Sequence, residues 1–498
     1  MIAINYAQLL QLAMPQVIVV ATALIAMAID LLALRKSVTR IRFAVAATLA
    51  SLGCAGAILR ILLAPVQANI LNGMLIANPV THLVQIVLLV LAIFTLLISV
   101  DSTFTEHVGE FVLLILVATA GMMFLVGSQD LLVIFISLEL LSLSLYILAA
   151  FNKRSAQAWE AALKYFLFGG MSAAFLLFGF SLLYGLSNST SLTQIAAAIH
   201  GPSLNPLLVI AIVTTAIGLG FKVAAAPFHF WAPDVYQGAP APSAAFIASG
   251  SKVASFFIFF QIMAIGFAGA EGTAALPHFV RGWVPVLALI AALSMLLGNL
   301  VAIRQSSLRR LLAYSAVAHA GYMLLGIVAH TQQSLAALLY YVITYALATL
   351  GAFAVIAVVE EQRGSDQISS FDGLSRQAPV LSFCLAIFIL SLAGIPPLAG
   401  FFGKFYLFVT VLAATPESMG LLWLVVLAIA MSAVSLYYYL RVLKRVYVAP
   451  LSDDAGKIHS PILSQVLALL LAGAVVLLGC APHLLLKWIL AAIPASGL

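Results

Sequence analysis

Two lysines, Lys222 and Lys252, fall within the stretch GLGFKVAAAPFHFWAPDVYQGAPAPSAAFIASGSKVAS, and each is flanked by residues of membrane-helix type. Between them lie four prolines and a knot of aromatic and hydrogen-bonding residues: Phe228, His229, Trp231, Asp234 and Tyr236. An ammonium group near the bilayer centre costs roughly 2.5–3.5 kcal/mol on insertion scales. Two of them beside a proline break point to an ion pathway rather than packing. An amine that can lose and regain a proton is the simplest carrier for one.

Other residue types suit the same chemistry. Glu139 sits in the middle of SQDLLVIFISLELLSLSLYILAAF, whereas most other acids fall in loops or near predicted helix ends. An isolated carboxylate there is held neutral by desolvation, while a nearby ammonium keeps it charged. Lys222 is the expected partner, and such a pair has two states, closed together or open with the lysine free to pass its proton on. The competing reading is a helix-bundling salt bridge, a weak source of stability when buried. His319, in LLAYSAVAHAGYMLLG, can accept or donate a proton, or can serve as a satisfied hydrogen-bonding residue. Lys404, in AGFFGKFYLF, is placed like the other buried lysines. Lys164 follows Lys153 and Arg154 closely enough that snorkelling to the interface competes with a pathway role.

These residues have to be positioned by membrane-spanning helices. The 498-residue chain is 64% hydrophobic and 8% charged, too little charge to cover a soluble surface of that size. Apolar runs give about fourteen spans, centred on 12–34, 43–63, 80–100, 110–127, 130–151, 158–185, 206–236, 242–266, 283–303, 308–329, 334–360, 380–412, 420–446 and 461–480. The first is read as a retained helix, since no basic leader or convincing cleavage site precedes it. A last apolar piece, His483 to Ile493, is too short to span and is expected at the interface. With the amino terminus outside, fifteen Lys and Arg fall in inside loops and three (Arg60, Arg281 and Lys487) outside, with four left within spans. Both termini are therefore expected on the non-cytoplasmic side. The basic residues are scattered, which excludes a nucleic-acid surface.

Two spans look broken. Pro227 frees the carbonyl of Val223, and Pro396 and Pro397 free those of Leu392 and Ala393. They are the seventh and twelfth spans, an odd offset that reverses direction through the membrane and so reads as two inverted five-helix repeats. The expected fold is an all-α polytopic membrane protein. It divides into a three-helix segment (1–105), a first inverted repeat (106–270), a second (280–450) and a C-terminal helix with an interfacial tail (451–498). Cys54, Cys384 and Cys480 lie in separate apolar segments, and there is no metal-ligand spacing, dinucleotide fingerprint or phosphate loop.

The segments around Glu139, Lys222 to Lys252 and His319, together with SLAGIPPLAGFFGKFYLF, resemble the antiporter-like membrane subunits of respiratory complex I, the NADH–quinone oxidoreductase. The likeness covers roughly Gly109 to Tyr447, and the GKFY wording at Lys404 is similar to the N branch of that family. Ser144 departs from it, standing where the family commonly has a proline, which puts that helix's local kink in doubt. The resemblance implies a proton pathway through the glutamate–lysine pair Glu139 and Lys222, the central lysine Lys252, the relay histidine His319, the terminal lysine Lys404 and a further lysine, Lys164. It implies no flavin, iron–sulfur cluster, quinone headgroup site or metal in this chain, with FMN, clusters and quinone held by other subunits. It also implies partners in the bilayer (a neighbouring antiporter-like subunit and small membrane subunits), protons as the transported species, and a bacterial inner-membrane location. Two alternatives share the fold: a subunit of a multi-subunit cation/proton antiporter, and a subunit of a ferredoxin-dependent photosynthetic-type complex.

Overall fold

The computed structural model describes residues 6–63, 67–199, 205–276, 278–414, 419–451 and 458–496. Lys457, one of the fifteen basic residues expected in inside loops, and the terminal Leu498 lie outside them. The chain opens with α1 (Tyr6–Leu32), α2 (Thr39–Leu63), a small hairpin of β1 (Ala68–Ile70) and β2 (Leu75–Ala77), and α3 (Pro79–Ile98). Next come α4 (Val108–Val126), α5 (Leu131–Ala149), α6 (Ala156–Ser187), α7 (Leu192–Ala198), α8 (Pro206–Lys222), α9 (Trp231–Gly238), α10 (Ala241–Ala248) and α11 (Gly250–Gln261). A second series follows with α12 (Trp283–Ala302), α13 (Leu308–Ala329), α14 (Gln332–Arg363), α15 (Leu374–Gln377), α16 (Pro379–Ala393), α17 (Ala399–Ala413) and α18 (Leu422–Tyr447). The chain closes with α19 (Ile462–Cys480) and α20 (His483–Ala495).

Twelve helical segments among the described residues are long and apolar enough to cross a membrane. The broken pairs α8/α9 and α16/α17 make the count fourteen, as the sequence predicts. Both breaks fall at the expected prolines. The first spans Val223 to Phe230, where Ser294 accepts from the Ala226 amide (2.8 Å) and the Phe221 carbonyl accepts from the Trp231 indole (2.9 Å). The second follows Gly394, where Ser391 Oγ accepts from the Gly400 amide (3.1 Å). Side chains thus satisfy backbone groups that a bilayer could not. Ser144, in place of a proline, returns its hydroxyl to the Leu140 carbonyl (2.8 Å), and α5 runs unbroken.

The repeat is legible at its hinges. Helices α6 and α14, five spans apart, both have 32 residues. In the first repeat, Leu131 donates to the Thr190 carbonyl (2.8 Å) and Leu192 to that of Gln129 (2.9 Å), tying the start of α5 to the end of α6. In the second, Leu308 donates to Asp366 (2.9 Å) and Ile368 to Ser306 (2.8 Å), tying α13 to the end of α14 in the same way. Each tie is an isolated antiparallel bridge, Asp130 with Ser191 and Ser307 with Gln367. Two segments five spans apart therefore close with the same device, as an inverted repeat requires.

Helices α10 and α11 are wholly enclosed, and α13 and α14 nearly so, while α1, α2, α6, α18 and α19 present much of their apolar surface outward. An apolar helix face can meet lipid as well as a core, and the enclosed α10, α11 and α13 are in fact less apolar than the outward-facing α1 and α19. Helices α12 and α13 approach backbone to backbone: a side chain at Gly298 would strike the Ala318 amide, and one at Gly321 the Ala291 carbonyl. That contact fixes α13 closely against α12.

Candidate functional site

Lys222 is the last residue of α8, at the edge of the first break, and is buried. Its ammonium donates to Ser142 Oγ on α5 and lies 5.6 Å from the Tyr146 ring centre. Ser142 in turn donates to the Leu138 carbonyl. Glu139 sits one turn before Ser142 on α5. Among the described ion pairs, however, none joins it to Lys222. Glu139 is half-buried, on an outer face of α5 where Ile136 and Leu143 are at least half exposed. Among the described residues, the acid withdrawn completely from solvent is instead Asp30, at the end of α1, paired with Arg42 at 2.7 and 2.8 Å.

Lys252 lies just past a third interruption, which the sequence reading missed. The eighth span breaks at Ser249 (φ −114°, ψ −78°), whose hydroxyl bonds back to the Ala245 carbonyl (2.6 Å). No proline marks this break; the signal is the small-residue run ASGS. Lys252 is 1% exposed, and its ammonium donates to the Ala316 carbonyl on α13 (2.7 Å), 5.4 Å from the Tyr345 ring centre.

His319 lies one turn beyond Ala316 on α13. Its Nδ1 is 2.7 Å from the Tyr341 hydroxyl on α14, its Nε2 3.2 Å from that of Tyr439 on α18, and its ring 4.9 Å from Tyr345. Tyr439 also meets Ser315. Lys404, on α17, donates to Leu392 O (3.1 Å), Ala393 O (3.2 Å) and Ser432 Oγ (3.0 Å). The first two are the carbonyls left over by Pro396 and Pro397. The Lys404 amine lies 5.0 Å from the centre of Tyr322, which stands edge-on to His319 at 5.7 Å.

Three sequence-predicted residues, Lys252, His319 and Lys404, are thus brought into one buried line, with tyrosines between them. Lys222 and Glu139 form a second group at the first break. Lys164 joins neither. Its amine pairs with Glu160 (2.6 Å) and Asp234 (2.8 Å), and Asp234 also takes Arg310 from the second repeat (2.7 Å). Nearby, Arg309 is held by Glu360 (2.9 Å), the Tyr236 carbonyl (2.7 Å) and the Ala239 carbonyl. It lines a polar cavity of about 570 Å³ with Glu106, Lys153, Gln237 and Glu360.

The sequence reading passed over Tyr341, Tyr345, Tyr439, Ser142 and the Asp234–Arg310 pair. The available signal was the Tyr341/Tyr345 spacing of four residues, which places both rings on one helix face. No group of three or more metal-ligating side chains occurs among the described residues.

Comparison with known proteins sets this geometry in a family. Residues 128–433 match the family model described as NADH:quinone oxidoreductase/Mrp antiporter, TM. The chain is 55% identical over 497 residues to NADH-quinone oxidoreductase subunit N 2 of Acidobacterium capsulatum, covering 98% of this chain and 99% of that one. It is 40% identical over 460 residues to NAD(P)H-quinone oxidoreductase subunit 2 of Trichodesmium erythraeum, covering 90% and 84%. Among solved structures it is similar to a chain of respiratory complex I from Thermus thermophilus with bound aureothin. There the TM-score is 0.77 and the identity 34%, over 95% of this chain and 98% of that one.

Proposed function

The chain belongs to the NADH:quinone oxidoreductase/Mrp antiporter transmembrane family, in its subunit N branch, and on that premise we propose that Lys252, His319 and Lys404 carry protons through it. The chain serves as a membrane subunit of an NADH-quinone oxidoreductase and couples electron transfer in other subunits to proton movement across the membrane. The single observation that carries this reading is the buried line from Lys252 past Tyr345, His319 and Tyr322 to Lys404. Ionisable side chains at membrane depth are costly unless used, and here three share one enclosed layer.

In this reading a proton enters from the polar cavity beside Arg309 and Glu360, whose lining residue Gln237 accepts from Arg310 of the Lys164–Asp234–Arg310 cluster (3.3 Å). Lys252 takes it as an ammonium and hands it by way of Tyr341, Tyr439 and His319 to Lys404. Lys222 and Glu139 set the electrostatic condition for each transfer by closing and opening. Glu139 faces outward, so a neighbouring antiporter-like subunit or small membrane subunit covers that face of α5. The functional units are 106–270 and 280–450, with 1–105 and 451–498 flanking them. The membrane is the bacterial inner membrane, with both termini on its outer side. FMN, iron–sulfur clusters and quinone belong to other subunits.

The test is a pair of variants at Lys252. Lys252→Met keeps length and apolar packing but never carries the proton, whereas Lys252→Arg keeps the charge and scarcely releases it. Proton uptake is measured in vesicles containing the whole complex, with assembly followed on native gels. Both variants are expected to assemble and to lose translocation. Full pumping in the assembled Met variant would remove Lys252 from the pathway.

A further inference from the structure

Helix α12 carries no lysine, arginine, histidine or acid, yet one of its side chains braces both ends of the step between His319 and Lys404. Asn299 is wholly buried. Beside it, Gly298 lets the backbones of α12 and α13 close up, since a side chain there would strike the Ala318 amide. From that position the Asn299 amide reaches across to both α13 and α18.

The chemistry of its partners fixes which way the amide points. Asn299 Nδ2 lies 2.7 Å from the Met295 carbonyl oxygen and 3.1 Å from the Tyr322 hydroxyl, and Oδ1 lies 3.0 Å from the Tyr438 hydroxyl. A carbonyl only accepts, so the group facing Met295 must be the nitrogen, and the oxygen therefore faces Tyr438. Tyr438 donates its proton to Asn299, whereas Tyr322 accepts one from it.

Each tyrosine stands behind one member of the buried line. The Tyr322 ring centre is 5.0 Å from the Lys404 amine and edge-on to His319 at 5.7 Å, and the face of a ring attracts an ammonium only where the two are held together. Tyr438 packs on Tyr439 with ring centres 4.5 Å apart. The Tyr439 hydroxyl is 3.2 Å from His319 Nε2 and also meets Ser315. With its own proton committed to Asn299, Tyr438 has none to offer Tyr439, whose hydroxyl is left to Ser315 and His319.

We propose that Asn299 is a positioning residue for proton transfer between His319 and Lys404. It holds the Tyr322 ring against the Lys404 amine and, through Tyr438, keeps the Tyr439 hydroxyl at His319. This role rests on the reading of His319 and Lys404 as proton carriers. A polar side chain that only tied α12 to its neighbours would bear on assembly; a positioning residue bears on the rate of transfer once the complex is assembled.

The experiment uses the whole complex in vesicles. Proton uptake per assembled complex is measured in ordinary and in heavy water for Asn299→Leu, with Lys252→Met run beside it. Asn299→Leu removes all three bonds at similar volume, and uptake is expected to slow about tenfold. Its solvent isotope effect should rise, because the misplaced transfer becomes the slow step. Tyr322→Phe and Tyr438→Phe keep their rings and should each slow uptake about threefold, and neither should slow the Asn299→Leu complex further. An Asn299→Leu complex that pumps normally, or that slows with an unaltered isotope effect, overturns the proposal, as do multiplied losses in the double variants. Where Asn299→Leu fails to assemble, the phenylalanine variants decide: slowed uptake with a raised isotope effect in both supports the role, and normal uptake in either overturns it. Pumping by the Lys252→Met complex overturns instead the pathway on which the role rests, whereas its loss beside normal pumping by Asn299→Leu overturns only the role of Asn299.

Discussion

The Lys404 ammonium lies 3.1 Å from the carbonyl oxygen of Leu392, a group stripped of its helical donor by Pro396. The same amine reaches the Ala393 carbonyl at 3.2 Å. One lysine thus satisfies both acceptors that the proline pair creates, and the break in turn places the lysine at membrane depth.

That fit depends on Gly394, which caps α16 in the left-handed region (φ 86°). A methyl group there would come within 3.2 to 3.3 Å of Lys404 Cδ and Nζ. Gly394→Ala is expected to cost about 1–2 kcal/mol for the backbone conformation alone and to displace the amine. Lowered thermal stability of the assembled complex, together with reduced proton uptake, is the expected result. An alanine variant with unaltered melting and pumping would mean that the break tolerates movement.

Tyr341 offers a sharper test of the line. Its hydroxyl is 2.7 Å from His319 Nδ1, and both residues are buried. Tyr341→Phe preserves the ring but leaves the histidine nitrogen without that partner, a loss of about 1–3 kcal/mol. If the contact is used in transfer, proton uptake should slow by about tenfold or more. Oxidation of NADH by an artificial acceptor, which uses other subunits, should not change. Normal coupled turnover in Tyr341→Phe would place His319 in a packing role.

How much of this was legible in the sequence depends on what punctuates a helix. Pro227, Pro396 and Pro397 mark their breaks by chemistry, so the seventh and twelfth spans were readable, as were the two carbonyls that Lys404 serves. The break at Ser249 is made by small residues in a fully enclosed helix, where tertiary contacts and not local propensity set the backbone. It left no comparable mark. Buried lysines announce themselves by their cost, but a tyrosine in an apolar run looks like packing until its hydroxyl is seen beside His319. Glu139 was found by position and Asp30 was passed over for the same reason. Depth along a span is visible in sequence, whereas burial against Arg42 and the Gly109 amide (2.9 Å) is a product of three helices meeting.

Asp30 should matter for assembly and not for transport. It is fully buried, bonded to Arg42 by two contacts, and ties α1 to α2 and α4. Removing one partner of a buried pair costs about 3–5 kcal/mol because the other charge is stranded. Asp30→Ala is expected to lower the amount of assembled complex on native gels, with normal proton uptake per assembled complex. A fully assembled variant that fails to pump would move Asp30 into the pathway.

The carboxyl end gives a test of orientation. Helix α20 has 13 residues, or ~20 Å of helix at 1.5 Å per residue, against a hydrocarbon core of about 30 Å. It therefore lies along the surface, packed through Ile489 and Ile493 and anchored beside the start of α3 through Ser496. Only α19 then separates Lys457 from Leu498, so the two positions must face opposite sides. In the orientation proposed from the excess of Lys and Arg in alternate loops, Lys457 is expected in the cytoplasm. A reporter inserted near Lys457 should be active only in its cytoplasmic form, and one fused after Leu498 only in its exported form. Matching signals from both sites would mean that α20 crosses the membrane and that the fourteen-span arrangement is wrong.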